Sequence, residues 1–180
     1  RSSWTAPQSV TMSDIHEARA VRYFADALFD RDTISPALEN RLYPVAVFHA
    51  QQVCEKGAKG CLALESIVIA RDHHASDLFT VHVIPASGEL DNRFREFLPV
   101  MSRLESYYIP SRYGVDTAGR VHYLKYNPAK VTEMTKTALE FLELCFVFFE
   151  TQTGRSLPRS REGLEEYFLK TYSPYIRGLE

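Results

Sequence analysis

The chain has 180 residues, of which 45% are hydrophobic and 12% aromatic, enough for one domain with a sizeable core. Its 21 basic and 23 acidic side chains leave a formal net charge of -2. That balance excludes a global field able to gather nucleic acid or anionic membrane, so any polyanion site must be a local patch.

Arg1–Met12 is polar, lacks the apolar core of a signal peptide and reads as a loose arm. A first helix is expected from about Asp14 to Phe29, because Ala18, Val21, Ala25 and Leu28 recur at helical spacing. Asp14, with Glu17 three residues later, matches a capping box that uses aspartate. Ser35 and Pro36 then predict a break within Arg31–Leu42.

The clearest element is a helix from about Leu42 to Ile69. Ala46, Ala50, Val53, Gly57, Gly60 and Leu64 form one stripe of mostly small residues. Each interior glycine costs about 1 kcal/mol relative to alanine, so a neighbouring helix is expected to pack close against the stripe. Cys54, Ala58 and Cys61 widen that face, and Gln52, Glu55, Lys56 and Lys59 occupy the opposite one. Ala75–Ile84 carries both helix and strand signals and is read as a short third helix.

A fourth helix is expected from about Leu90 to Tyr108, bent at Pro99 and ended by Pro110. Ser111–Pro128 then reads as a long connection rich in Gly, Tyr and basic residues, a length that often carries function. The fifth helix is expected from Pro128 to Gln152. One stripe holds Val131, Met134, Ala138, Phe141, Cys145 and Phe148, and a second holds Leu139, Leu142, Phe146 and Phe149. A helix this apolar is buried centrally or half covered by a partner. Gly154 stops it, and Glu162–Tyr172 reads as a further short helix.

The pattern is that of an all-α, antiparallel up-and-down bundle of four to five helices over residues 13–153, with an arm before it and an extension over 154–180. The apolar run Phe141–Phe149 contains Glu143 and is about half the roughly 18 residues that span a bilayer, so no membrane association is expected. Cys54, Cys61 and Cys145 are an odd number in apolar segments, which points to core packing and a reducing cytoplasm. His73, His74 and His82 match no metal-binding spacing, and neither metal nor cofactor is expected.

Three segments, in order and spacing, resemble the HEPN domain family. "HAQQVCEKGAKGCLAL" in the second helix is similar to that family's hallmark helix, through Gln51, Gln52, Glu55, Lys56 and Lys59. His74–Leu78 resembles its short His…Asp-Leu segment, and "YYIPSRY" at Tyr107–Tyr113 its Tyr…Ser-Arg-Tyr motif. The likeness runs from about Asp14 to Gln152. It implies a HEPN-like bundle, often paired as a homodimer, and one of two roles. Some members accompany small nucleotidyltransferases and help bind nucleotide or substrate. Others are metal-independent ribonucleases, including toxins, that place a His four to six residues after an Arg. Here nine residues separate Arg112 from His122, and Gly114 stands where the family usually has Pro.

Candidate site residues follow. The Arg112 guanidinium beside Tyr113 fits a phosphate clamp with a stacking ring, or else an ion pair to a carboxylate such as Glu55. Arg120, His122, Lys125 and Lys130 interleave with Tyr113, Tyr123 and Tyr126, a basic and aromatic pattern suited to single-stranded nucleic acid or to a solvated loop. Gln52, Glu55, Lys56 and Lys59 form either a solvated face or one wall of a polar cleft. Arg112 with His122 would supply charge stabilisation and acid–base chemistry if the loop folds back. The leading expectation is a dimeric nucleotide- or RNA-associated accessory domain beside a nucleotidyltransferase, without DNA sequence specificity. An endoribonuclease using Arg112 and His122, and a plain interaction scaffold, are the alternatives.

Overall fold

The structure, a computed structural model, describes residues 11–69, 75–115, 118–121 and 126–172. Helix α1 (Met12–Glu39) begins where the Thr11 side chain accepts a hydrogen bond from the backbone of Asp14 at 3.2 Å, so Thr11, not Asp14, caps it. It continues past the expected break at Ser35-Pro36. Proline deletes one backbone donor there, while Ile34 and Ala37 stay buried and Asn40 closes the end onto the Pro36 carbonyl.

After a turn at Arg41 (φ 57°), α2 (Tyr43–Leu64) starts with Pro44 in its first turn and ends five residues before the expected Ile69, where Ser66 takes a φ of 63°. It is the central rod. Ala46, Ala50, Val53, Gly57 and Gly60 are all buried. A Cβ built on Gly60 would lie 2.4 Å from the Phe24 ring of α1. One built on Gly57 would lie 3.3 Å from Cys145 Sγ, across from α2 on the fifth helix. The small stripe therefore admits neighbours on two sides.

Helix α3 (Ala75–Leu78) runs on through a wider turn at Phe79–Val83 and two tight turns at Ile84–Ala86 and Gly88–Leu90, so the ambiguous segment is helical. Helix α4 (Asp91–Tyr113) contains both Pro99 and Pro110 and ends at Gly114, which adopts a φ of 66°. Pro110 does not terminate it. Gly114 N–H donates to the Pro110 carbonyl at 3.1 Å and keeps the last turn closed. Arg112 consequently sits on a helix, not in the connection that follows.

Helix α5 (Pro128–Thr153) is capped by Asn127, whose side chain accepts from Lys130 N–H at 3.1 Å, and it stops at Gly154. Both of its apolar stripes are buried inside its own chain, apart from a half-buried Leu139. Phe79, Phe94, Phe141 and Phe148 meet edge to face around it. Helix α6 (Arg161–Tyr172) lies on α1 and buries Leu164 and Tyr172; the Tyr172 hydroxyl donates to Glu17 at 3.2 Å. The extension, as far as Tyr172, thus joins the same core through Leu157, Leu164 and Tyr172. Among the described residues the β pairing is an isolated bridge between Val115 and Val121, and no helix is long and apolar enough to cross a membrane.

Candidate functional site

Arg112 extends from the last turn of α4 toward the first half of α2. Its guanidinium lies 5.4 Å from the centroid of the Phe48 ring and 5.5 Å from that of Tyr113. One of its nitrogens donates to the Tyr108 hydroxyl at 3.4 Å, and the Tyr108 ring lies 6.0 Å from Phe48. The side chain is exposed, and no carboxylate among the described residues pairs with it. The ion pair to Glu55 allowed by the sequence is not formed. Phe48 lies one helical turn before Gln52, so Arg112 docks at the head of the Gln51–Lys59 stretch.

That stretch divides into three environments. Glu55 and Lys59 are buried, 2.7 Å apart, and Gln51 donates to Glu55 at 2.9 Å. They form a closed internal network, contrary to the expectation of a polar face opposite the stripe. Gln52, half-buried, donates to the Gln51 side chain at 2.6 Å and reaches Glu55 at 3.3 Å. Lys56 turns toward α1 and pairs with the buried Asp30 at 2.5 Å. Of the polar residues named from this helix, only Gln52 and Lys56 keep part of their surface in solvent.

The connection after α4 contributes unevenly. Tyr113 is 58% exposed and Val121 is 89% exposed, next to an exposed Arg120 at the Val115–Val121 bridge. His122, Tyr123 and Lys125 lie outside the described residues, as do His73 and His74. Tyr126 and Lys130 are brought to a cavity between α4 and α5, where they meet Arg103 and Tyr107. Burial, and then the neighbouring Tyr107, push the Tyr126 phenol above its ordinary range, so it stays a donor at neutral pH.

Reading the residues in sequence missed Phe48 and Tyr108, the rings that hold Arg112. It also missed the pairing of Asp30 with His49, whose Nδ1 is 2.7 Å from the carboxylate. Phe48 and His49 sit directly before the Gln51-Gln52 pair, which is the signal available for both. The three cysteines are free and buried, and burial, with Glu105 nearby, pushes the Cys54 thiol up, out of the reactive range.

No solved structure matches the chain. It is similar to "Putative toxin MJ1304" of Methanocaldococcus jannaschii, with 25% identity over 129 residues that cover 69% of this chain and 84% of that protein. A family model described as HEPN domain matches residues 20–150, most of the helical bundle and both the α2 and Arg112 segments, and on that match the chain belongs to the HEPN domain family.

Proposed function

We propose that this chain is an RNA- or nucleotide-contacting HEPN domain whose point of contact is the Arg112 corner. The observation that carries the reading is an exposed guanidinium with no carboxylate partner among the described residues, seated on Phe48 and flanked by Tyr113. A planar cation held on a ring keeps its donors oriented for phosphate oxygens, and an exposed tyrosine offers a face on which a base stacks. In this reading the domain serves a nucleotidyltransferase carried by another chain, as a homodimer. Fluorescence anisotropy with short single-stranded RNA, and thermal shift with nucleotides at millimolar concentration, test it. Binding and a stability gain by mass action are expected for the wild type and not for Arg112→Ala. Equal binding by the two proteins overturns it.

The similarity to a protein named as a toxin favours a second reading, a metal-independent endoribonuclease with Arg112 and His122 in the roles of charge stabiliser and proton carrier. Cleavage of RNA in EDTA that is lost in both Arg112→Ala and His122→Ala is the result expected of it. RNA that binds at Arg112 and stays intact returns the decision to the first reading.

A further inference from the structure

Helix α1 is flanked on two sides. On one, α6 runs antiparallel to it: the Arg161 guanidinium lies 5.5 Å from the Phe29 ring, and the Tyr172 hydroxyl reaches back to Glu17. On the other, the Tyr23 hydroxyl donates to the Ile69 carbonyl at 3.3 Å and holds the segment after α2 against the helix. Between these flanks lies a groove of about 370 Å³, where Val68 and Phe168 face each other across Ala18 and Tyr23. Val68 is 56% exposed, although Ile67 and Ile69 on either side of it pack on the core. The volume falls within the range of small-molecule sites, roughly 300–1,000 Å³.

The rim of the groove is charged unevenly. Arg22 and Asp26 pair with each other at 3.5 Å. The half-buried Arg19 pairs with no carboxylate among the described residues. Asp26 is seven residues further along, about 10 Å up the helix axis, and is held by Arg22. Apolar walls thus meet one unneutralised guanidinium.

We infer that this groove binds a monocarboxylate with an apolar tail of medium length, the carboxylate on Arg19 and the tail between Val68 and Phe168. One free cation matches one negative charge, whereas a polyanion would also meet Asp26. The guanidinium fork takes both oxygens of a carboxylate in one plane. The side chains of Val68 and Phe168 offer no hydrogen bond, so they favour a hydrocarbon tail, which gains with each methylene withdrawn from water.

The Arg112 corner lies at the start of α2 and the groove beyond its end, and the probes are neither RNA nor nucleotide, so the test stands apart from that reading. An amide NMR titration of the full chain compares octanoate, hexanoate, acetate and octylamine. Octanoate is expected to bind with a dissociation constant of about a millimolar, ordinary for so small a ligand, and to shift the amides of Tyr23, Val68 and Phe168. Hexanoate is expected to bind about ten-fold more weakly, the loss of two methylenes. Acetate and octylamine are expected not to saturate. Arg19→Gln, which keeps a good helix former, is expected to weaken octanoate by about ten-fold, and Val68→Asp to abolish its binding. Unchanged melting temperatures check the fold of both variants. Octylamine or acetate binding as tightly as octanoate overturns the inference, as does an unchanged affinity in Arg19→Gln. Shifts at the same amides when protein concentration alone is raised would place a second copy of the chain in the groove, and overturn it too.

Discussion

Arg112 rests 5.4 Å above the Phe48 ring, so the last turn of α4 is tied to the first half of α2 by a cation lying on an aromatic. The tie fixes the plane of the guanidinium as well as its position. Lysine would keep the charge and lose the plane. Arg112→Lys is therefore expected to lose most of the RNA affinity of the wild type, roughly ten-fold. Phe48→Leu keeps the bulk and removes the ring, a loss of about 0.5–1 kcal/mol at a partly exposed site, or about three-fold in affinity. Anisotropy titrations at fixed salt measure both. Equal affinity for the lysine variant and the wild type would show that charge alone carries the contact.

The corner also marks how far the sequence could be read. The α2 and α5 stripes were legible because 3.6-residue periodicity is set by local geometry, and Gly57 and Gly60 signalled a close neighbour. The continuation of α1 through Pro36 and of α4 through Pro110 was not. A proline near a helix end removes one donor, and whether the helix survives depends on the caps that follow, here Asn40 and Gly114. Glu55 and Lys59 looked like surface charges because letters carry no burial; packing placed them inside, where each satisfies the other. Phe48 under Arg112 and Asp30 beside His49 are contacts between helices, fixed only once the rods lie side by side.

Gly60 and Gly57 separate close approach from mere tolerance. Alanine gains about 1 kcal/mol of helix propensity at either position. At Gly60 the new methyl would meet three Phe24 ring atoms at 2.4–2.9 Å, and that ring is fully buried and stacked on Phe146 at 5.0 Å. Overpacking of this kind costs typically 1–3 kcal/mol, and here the ring has no free space to yield. Gly60→Ala is expected to be less stable than the wild type by about 1–2 kcal/mol. At Gly57 the nearest atom is Cys145 Sγ at 3.3 Å, so Gly57→Ala should stay within about 1 kcal/mol. Urea midpoints of the two variants decide it; a Gly60→Ala midpoint at or above the wild type would refute the close contact.

Asp30 ties α1 to α2 through two partners, His49 at 2.7 Å and Lys56 at 2.5 Å, from a side chain only 5% exposed. Removing it strands a lysine and an imidazole against a low-dielectric wall. Asp30→Ala is expected to cost about 2–3 kcal/mol, and Asp30→Asn less, because the amide still offers an acceptor. Much of the alanine effect is the penalty of the stranded cation. The double variant Asp30→Ala, Lys56→Met should therefore be more stable than the single one, and a double-mutant cycle reads the coupling directly. Strictly additive losses would mean that the pair contributes nothing as a pair.

The last prediction concerns acid. Arg159 donates to Glu143 at 2.9 Å and to Glu150 at 2.6 Å, and its guanidinium lies 4.6 Å from the Phe146 ring. The hydrogen bond from Arg159 is the main cause that holds the Glu150 carboxyl below its ordinary value. A carboxylate depressed in the folded chain adds stability that is complete above its unfolded pKa, about 4.3, and disappears as pH falls through the lower folded value. The wild type should therefore lose more stability than Arg159→Ala between about pH 5 and pH 3. At neutral pH the variant should be less stable by about 1 kcal/mol, a modest figure because the pair is partly screened by solvent. Once pH has fallen below the folded value of the Glu150 carboxyl, that contribution is gone, and the contact with Phe146 and the hydrogen bond to the Leu157 carbonyl at 2.7 Å still distinguish the two proteins. Melting temperatures at pH 7, 4 and 3 check this, and parallel curves across that range would mean that the Arg159–Glu150 bond does not hold the extension to α5.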